Sequence, residues 1–161
     1  MEIERKFLVK ELPDNLEQFK CKVIEQGYLC NNPTVRIRKS NENYILTYKS
    51  KFGIEQDENR TAKVENEVEV PLNEASFLHL KEKVDDHMIA KNRYIIPLEG
   101  GYTAELDIFK EQLEGLLLVE VEFKDEETAN QFCPPDWFGE DVSLDRRYTN
   151  GYLSTVDSYN F

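Results

Sequence analysis

Charged side chains alternate with apolar ones at the start of the chain. Glu2, Glu4 and Lys6 occupy alternate positions, and Ile3 and Phe7 have the opposite parity. On a β-strand, successive side chains point to opposite faces, so the two sets separate. One interpretation is the solvated outer face of a half-buried strand. The other is a site that needs fixed carboxylates beside fixed cations, such as a metal–polyphosphate site.

The same alternation recurs along the whole chain. Six stretches carry charged pairs or triplets at every second position, with apolar residues dominating the opposite face: Glu2, Glu4 and Lys6; Arg36 and Arg38; Glu65 and Glu67; Lys91 and Arg93; Glu105 and Asp107; Glu120 and Glu122. If all six faced solvent, they would form an external ladder of charge. If they faced inwards, they would line a tunnel with both signs of charge.

The elements that carry these residues are predicted to be short strands. The eight predicted strands cover residues 1–9, 22–30, 34–38, 44–49, 62–70, 88–97, 102–109 and 116–124. Because most connections are short turns, we expect residues 1–161 to form one mainly β (α+β) domain: an eight-stranded antiparallel β-barrel forming a charged tunnel, with a few flanking helices. Unpaired buried charges cost several kcal/mol each, so such a tunnel must hold water, metal and a highly charged ligand. Carboxylates suit Mg²⁺ or Mn²⁺, and guanidinium and ammonium groups suit phosphate oxygens.

Local signals add three helices and a tail. The spacing of apolar residues predicts a short helix over residues 12–19, and Pro71 is expected to end the fifth strand before a helix that begins after Asn73 and runs to Val84. Asp125 is expected to cap another helix. The tail contains a cationic pair, Arg146 and Arg147, before a short terminal helix that starts at Gly151.

Composition restricts the possible partners and the compartment. The chain of 161 residues has a net charge of −12, which opposes binding to nucleic acid or to an acidic membrane surface. It has no long apolar run and no signal-peptide layout at its start, so we expect a cytoplasmic location. Cys21, Cys30 and Cys133 form no C-x-x-C pair and are expected to be reduced. The sequence leaves the oligomeric state open; it is compatible with a homodimer.

In their order, these motifs resemble those of the CYTH superfamily, the triphosphate tunnel metalloenzymes. The first segment is similar to the family's N-terminal Glu-x-Glu-x-Lys signature. The other matching segments follow in the family's order: Arg36-x-Arg38, Lys49, Lys63-x-Glu65-x-Glu67, Lys91-x-Arg93, Glu105-x-Asp107, Glu120-x-Glu122 and Asp145-Arg146-Arg147-Tyr148-x-Asn150. The resemblance covers nearly the whole chain and is strongest to small bacterial inorganic triphosphatases.

The resemblance implies a tunnel barrel that hydrolyses inorganic triphosphate with two Mg²⁺ or Mn²⁺ ions per site. It implies a metal-ligand set of Glu2, Glu4, Glu65, Glu67, Asp107, Glu120 and Glu122. It implies a phosphate-binding set of Lys6, Arg36, Arg38, Lys49, Lys91, Arg93 and Arg147. Glu2, Glu4, Lys6 and Tyr28 are the expected catalytic residues, and in this subgroup the tyrosine is linked to preference for inorganic triphosphate. Neither the residues nor the resemblance decides whether Glu69 and Arg146 line the tunnel.

Two other classes of function remain open. The same barrel could process nucleotide or thiamine triphosphates, as a triphosphatase or an adenylate cyclase. It could also be a non-catalytic polyphosphate-binding module, although binding alone needs the cations more than it needs many carboxylates.

Overall fold

Alternating apolar and polar residues produce nine β-strands. The structure, a computed structural model, describes residues 1–159. The strands are β1 (Glu2–Val9), β2 (Lys20–Asn31), β3 (Thr34–Ser40), β4 (Asn43–Ser50), β5 (Lys63–Leu72), β6 (Asp85–Pro97), β7 (Thr103–Phe109), β8 (Leu117–Glu122) and β9 (Phe138–Asp141). The helices are α1 (Glu74–Lys81), α2 (Glu126–Gln131) and α3 (Asn150–Leu153), with four short 3₁₀ turns.

Strands β1 to β8 close into an antiparallel barrel, which confirms the predicted fold class. The sheet order is β5-β4-β3-β2-β6-β7-β8-β1, and pairing of β1 with β5 closes the ring. That closing seam is short: only residues 2–4 of β1 pair with residues 63–65 of β5. The other edge of β1 pairs with β8 over five residues.

The main hydrophobic core lies outside the barrel, between its outer face and the segments that cover it. Apolar side chains from β1, β6, β7 and β8 pack beneath α2 and the chain around Phe138. The buried members of this core are Ile3, Phe7, Ala62, Val64, Ile96, Ala104, Leu106, Val119, Val121, Phe123, Ala129, Phe132 and Phe138. With the apolar faces turned outwards in this way, the charged faces of the same strands line the interior.

Arg5 is the polar exception on the outer face of β1. Its Nη1 donates to the carbonyl oxygens of Ala129 and Phe132, at 2.8 and 3.2 Å. Its Nη2 forms an ion pair with Asp141 of β9 at 2.9 Å. Arg5 therefore attaches both α2 and β9 to the first strand.

A second apolar cluster fills part of the barrel at one end. Ile89, Phe109 and Leu118 share the inward parity of the charged residues on β6, β7 and β8, and they pack with Tyr148 and Leu153 from the C-terminal segment. The interior is therefore charged in its middle and apolar at this end.

Several local predictions are wrong. The expected helix over residues 12–19 is only a 3₁₀ turn at Leu16–Gln18, because Asn15 adopts a left-handed conformation with φ of 56° that interrupts helical hydrogen bonding. Pro71 does not end β5, which continues to Leu72. β4 pairs with one edge there and β1 does not reach the other, so the proline needs no hydrogen-bond donor on that side.

Other boundaries also shift. Helix α1 ends at Lys81 and not at Val84. Val68, on the apolar side of β5, is 56% exposed, since no helix covers that part of the wall. The tail contains an additional strand, β9, which pairs with β1 and which the sequence pattern did not indicate.

Two further observations concern the cysteines and the helices. Cys21, Cys30 and Cys133 are free thiols. No helix within residues 1–159 combines the length and the apolar character needed to cross a bilayer.

Phe7 gives a direct test of the external core. Its side chain is 1% exposed, and its ring lies 5.0 Å from that of Phe138. We expect Phe7→Ala to lower the free energy of unfolding by about 3–5 kcal/mol, because a large cavity would remain. Phe52→Ala is the matched control: Phe52 is 68% exposed, so its loss should change stability by no more than about 0.5 kcal/mol. Chemical denaturation of both variants measures this, and equal effects would contradict the assigned core.

Candidate active site

The inner face of the barrel encloses a cavity of about 1350 Å³. Twelve of the predicted site residues line it: Glu2, Glu4, Lys6, Tyr28, Arg36, Arg38, Lys49, Glu65, Glu67, Arg93, Glu120 and Glu122. Glu69 and Arg146, which the sequence left undecided, line it as well, together with Lys63 and Glu105. Lys91, Asp107 and Arg147 are not among the lining residues.

Strand register places carboxylates directly opposite one another across the closing strand β1. Glu2 is paired with Glu65 on β5, and Glu4 is paired with Glu122 on β8. Like charges at directly opposed positions destabilise a sheet. This wall therefore needs positive charge from another source.

The carboxyl pKa values reflect this crowding. Burial, followed by repulsion from Glu120 and Glu2, raises the pKa of Glu4 to about 8. Burial also raises the pKa of Glu2, with Glu67 adding to the effect, and raises that of Glu122. Burial and neighbouring carboxylates thus disfavour the ionised form of all three groups.

Three lysines partly compensate this wall: Lys63, opposite Glu4 on β5, has its Nζ 3.4 Å from Glu65 Oε1, and Lys49 and Lys6 approach from other strands. Lys49 Nζ lies 2.8 Å from Glu2 Oε1, and Lys6 Nζ lies 3.5 Å from Glu120 Oε1 while donating to the carbonyl oxygen of Tyr148 at 2.8 Å. Burial lowers the pKa of Lys49, but the carboxylates of Glu4 and Glu2 outweigh it and hold that pKa above its ordinary value. Lys49 therefore keeps its charge at neutral pH while it faces the cavity.

Arg36 and Arg38, on β3, are held by neutral oxygens. Arg38 Nε donates to Gln26 Oε1 at 2.8 Å, and Arg36 Nη2 donates to the hydroxyl of Thr47 at 3.3 Å. Neither guanidinium forms an ion pair with any carboxylate of the part of the chain that the structure describes. Burial, with Arg36 and Arg93 nearby, lowers the pKa of Arg38 to about 9, so it keeps its proton at neutral pH. These two cations remain available for an anionic ligand.

Arg93 reaches the cavity from a buried ion-pair network. Its Nε and Nη2 donate to the two oxygens of Asp107, at 2.8 and 2.9 Å, and Lys91 Nζ donates to the same carboxylate at 2.7 Å. Burial raises the pKa of Asp107, but Arg93 and Lys91 outweigh it and lower that pKa below its usual range. Both oxygens of Asp107 are thus already occupied by cations, which leaves it a role in orienting Arg93.

The two adjacent arginines of the C-terminal segment lie in different environments. The Arg147 side chain is about half exposed and forms an ion pair with Asp145 at 2.7 Å, whereas Arg146 lines the cavity near Tyr152. A strand-like alternation could not have distinguished them, because residues 146–148 form a 3₁₀ turn.

Tyr28 also faces the cavity. Its ring is buried, and β2 pairs it directly with Arg36 on β3. A phenolic hydroxyl beside two uncompensated guanidinium groups is well placed to contact a bound anion.

The donor set fits a divalent cation. Facing carboxylates supply the hard oxygen ligands that Mg²⁺ and Mn²⁺ prefer, and Glu4, whose pKa is raised by burial and by Glu120 and Glu2, would be stabilised as a carboxylate by a bound cation. Within residues 1–159, no three His, Cys, Asp or Glu side chains lie close enough as they stand to hold a metal ion. Mg²⁺ commonly keeps several water ligands and is held by one or two carboxylates together with substrate phosphates, so a preformed cluster of three side chains is not required.

Asp107→Asn tests the buried network. Removing one carboxylate charge would leave Lys91 and Arg93 buried without adequate compensation, and we expect a loss of about 3–5 kcal/mol in the free energy of unfolding. Asp14→Asn, on the exposed surface, removes the same charge and should change stability little. Denaturant titration of the two variants gives the comparison; a stable Asp107→Asn protein would contradict this role.

Two curated relatives match nearly the full chain. An inorganic triphosphatase from Nitrosomonas europaea is 38% identical over 157 residues, which cover 95% of this chain and 96% of the relative. An inorganic triphosphatase from Acetivibrio thermocellus is 35% identical, with 99% of this chain and 97% of the relative covered. No family model matches the chain.

Solved structures agree with these relatives. The crystal structure of an inorganic triphosphatase superposes with a TM-score of 0.70 at 35% identity and covers 98% of this chain and 97% of the other. A putative adenylyl cyclase from Hippeastrum with a dominant triphosphatase activity has a TM-score of 0.56 at 17% identity, covering 81% and 83% of the two chains, and shows a shared fold alone. Since both curated relatives exceed 30% identity over almost their entire lengths, the chain belongs to the inorganic triphosphatase family that its motifs indicated.

Proposed function

We propose that this protein hydrolyses inorganic triphosphate to pyrophosphate and phosphate by attack of water inside the barrel. The observation that carries the proposal is the pair Arg36 and Arg38, two enclosed guanidinium groups without carboxylate partners in the described chain, facing a wall of glutamates. A compact polyanion fits the cations, and a divalent cation fits the opposite wall. The names of the two curated relatives support the same substrate.

The cations of the cavity bind and orient the substrate in this proposal. Arg36 and Arg38 hold phosphate oxygens with charge-assisted hydrogen bonds, and Arg93, whose Nη1 donates to Glu105 Oε2 at 3.3 Å, adds positive charge to the cavity. Lys6 and Lys49 lie between the two walls. Fixed cations of this kind offset the charge that develops on the phosphates during transfer without reorganising at that moment.

The carboxylate wall is the proposed metal site. Glu2, Glu4, Glu65, Glu67, Glu120 and Glu122 would hold the two expected Mg²⁺ or Mn²⁺ ions, which would supply charge neutralisation and activation of the attacking water. We assign Asp107 and Lys91 to positioning Arg93, since the ion pairs between them occupy both Asp107 oxygens. Arg147, on the same basis, is assigned to the ion pair with Asp145. Tyr28 contributes to preference for inorganic triphosphate through its position beside Arg36.

One feature of the cavity favours a second candidate, an organic triphosphate. Beyond Arg38, the inner wall changes from charged to apolar at Ile24, Ile45 and Pro71, with Tyr44 nearby. A nucleoside or thiamine moiety could contact this apolar surface while its phosphates reached Arg36 and Arg38. The relative rates of hydrolysis of inorganic and organic triphosphates distinguish this candidate from the first.

The setting of the enzyme follows from the free thiols. We propose that it acts in the reducing cytoplasm, where Cys21, Cys30 and Cys133 would stay unpaired. The homodimer stays a prediction, which sedimentation analysis would decide.

The substrate and the metal are tested together. We expect phosphate release from inorganic triphosphate with Mg²⁺ or Mn²⁺, slower release from ATP and thiamine triphosphate, and none from any substrate in chelator. Because Arg38 is a binding cation, Arg38→Ala should lower activity about 100-fold or more, a range that the loss of one transition-state donor can cause. Lys10→Ala, which removes an exposed cation outside the cavity, should leave the activity unchanged.

Three outcomes would contradict parts of this proposal. Full activity in chelator would exclude the metal role. Faster hydrolysis of an organic triphosphate would favour the second candidate. Binding of triphosphate with no turnover of any substrate would identify a polyphosphate-binding module.

The raised pKa of Glu4 predicts a pH-dependent stability for the metal-free protein. Between pH 4.5 and about 8, the folded state holds a proton that the unfolded chain has already lost, so the free energy of unfolding should fall as pH rises through this window. Glu4→Gln should flatten the decline, because the amide does not titrate. Denaturant titrations in chelator at several pH values measure both proteins, and parallel curves would contradict the assignment.

A further inference from the structure

The cations of the cavity differ in the groups that hold them. Lys6, Lys49 and Arg93 each approach a carboxylate: Glu120, Glu2 and Asp107, respectively. Arg38, by contrast, is fixed by an uncharged amide, that of Gln26. A carboxylate would orient the guanidinium equally well but would also cancel its charge.

Gln26 contacts Arg38 from the neighbouring strand. It is fully buried on β2, directly opposite Arg38 on β3, and it is not among the residues that line the cavity. Arg38 Nε is a donor, so the amide oxygen must face it at the observed 2.8 Å, and the amide Nε2 points away. That Nε2 is buried without a hydrogen-bond partner in the described chain.

This arrangement is poor for stability. A glutamate of almost the same shape would accept the same hydrogen bond and would also pair with a buried cation. The amide instead leaves both a donor unsatisfied and the Arg38 charge uncompensated. Sites that trade stability for activity commonly show such local defects.

We infer that Gln26 is a positioning residue for Arg38 whose neutrality sets the affinity of the cavity for triphosphate. The amide fixes the guanidinium through Nε and leaves the two Nη groups, with their full charge, for phosphate oxygens. The inference rests on the proposed function, since it names what that same site uses to hold its substrate.

The test is Gln26→Glu, with Gln18→Glu as a matched control that adds the same charge at an exposed position. We expect Gln26→Glu to raise the melting temperature of the ligand-free protein and, at the same time, to weaken binding of inorganic triphosphate about tenfold or more, the scale of one lost charge-assisted contact. Calorimetric titration in chelator measures the dissociation constant without turnover. KM should rise in parallel in the metal-loaded enzyme. Gln18→Glu should change neither quantity.

Gln26→Met keeps the test decisive if the glutamate variant folds poorly. Methionine removes the acceptor and leaves Arg38 charged, so binding should weaken less than with glutamate and the melting temperature should fall. Unchanged affinity in both variants would overturn the inference, as would a joint fall of stability and affinity in Gln26→Glu. A wild-type protein that binds triphosphate without hydrolysing it would contradict the hydrolase proposal only, and the comparison of dissociation constants would still decide the role of Gln26. Absence of binding by the wild type would overturn both.

Discussion

Charge enclosed by the barrel has to be compensated, and this requirement shapes the rest of the molecule. Register places Glu2 against Glu65 and Glu4 against Glu122, and the lysines of the same wall, Lys6 and Lys63, offset only part of this repulsion. On the opposite wall, Arg36 and Arg38 form no ion pair with a carboxylate of residues 1–159. Internal ion pairs, such as that of Arg93 with Asp107, neutralise only part of the interior. A bound polyanion together with its counter-cations would neutralise the remaining charge of the two walls.

An interior of this kind cannot supply the driving force for folding, so the apolar core must lie elsewhere. It lies on the outer faces of β1, β6, β7 and β8, under α2 and the chain around Phe138. Arg5 holds this cover in place from the same strand that presents Glu4 and Lys6 to the cavity. Strand β1 therefore contributes to the hydrophobic core through its outer face and to the cavity through its inner face.

Much of this could be predicted from the sequence, because a period of two sorts residues between two faces wherever a strand is regular. This alternating pattern predicted the barrel and placed Glu4, Arg38 and Glu120 in one cavity. It could not separate Glu105, which lines the cavity, from Asp107, which is buried among cations, since both have the same parity. It failed for Arg146 and Arg147 because a 3₁₀ turn has no such period. Gln26 went unnoticed because a neutral residue adds nothing to a charge pattern.

The seam between β1 and β5 joins only three residue pairs, and it includes Glu2 and Glu65. The shortest strand pairing of the ring thus contains two opposed carboxylates, whose repulsion Lys63 offsets in part from 3.4 Å. Positive charge bound between these two strands would pull together the β1–β5 pairing that closes the ring. A ligand bound in the cavity would then cross-link β1 to β5. The barrel would be closed most firmly while it holds its substrate.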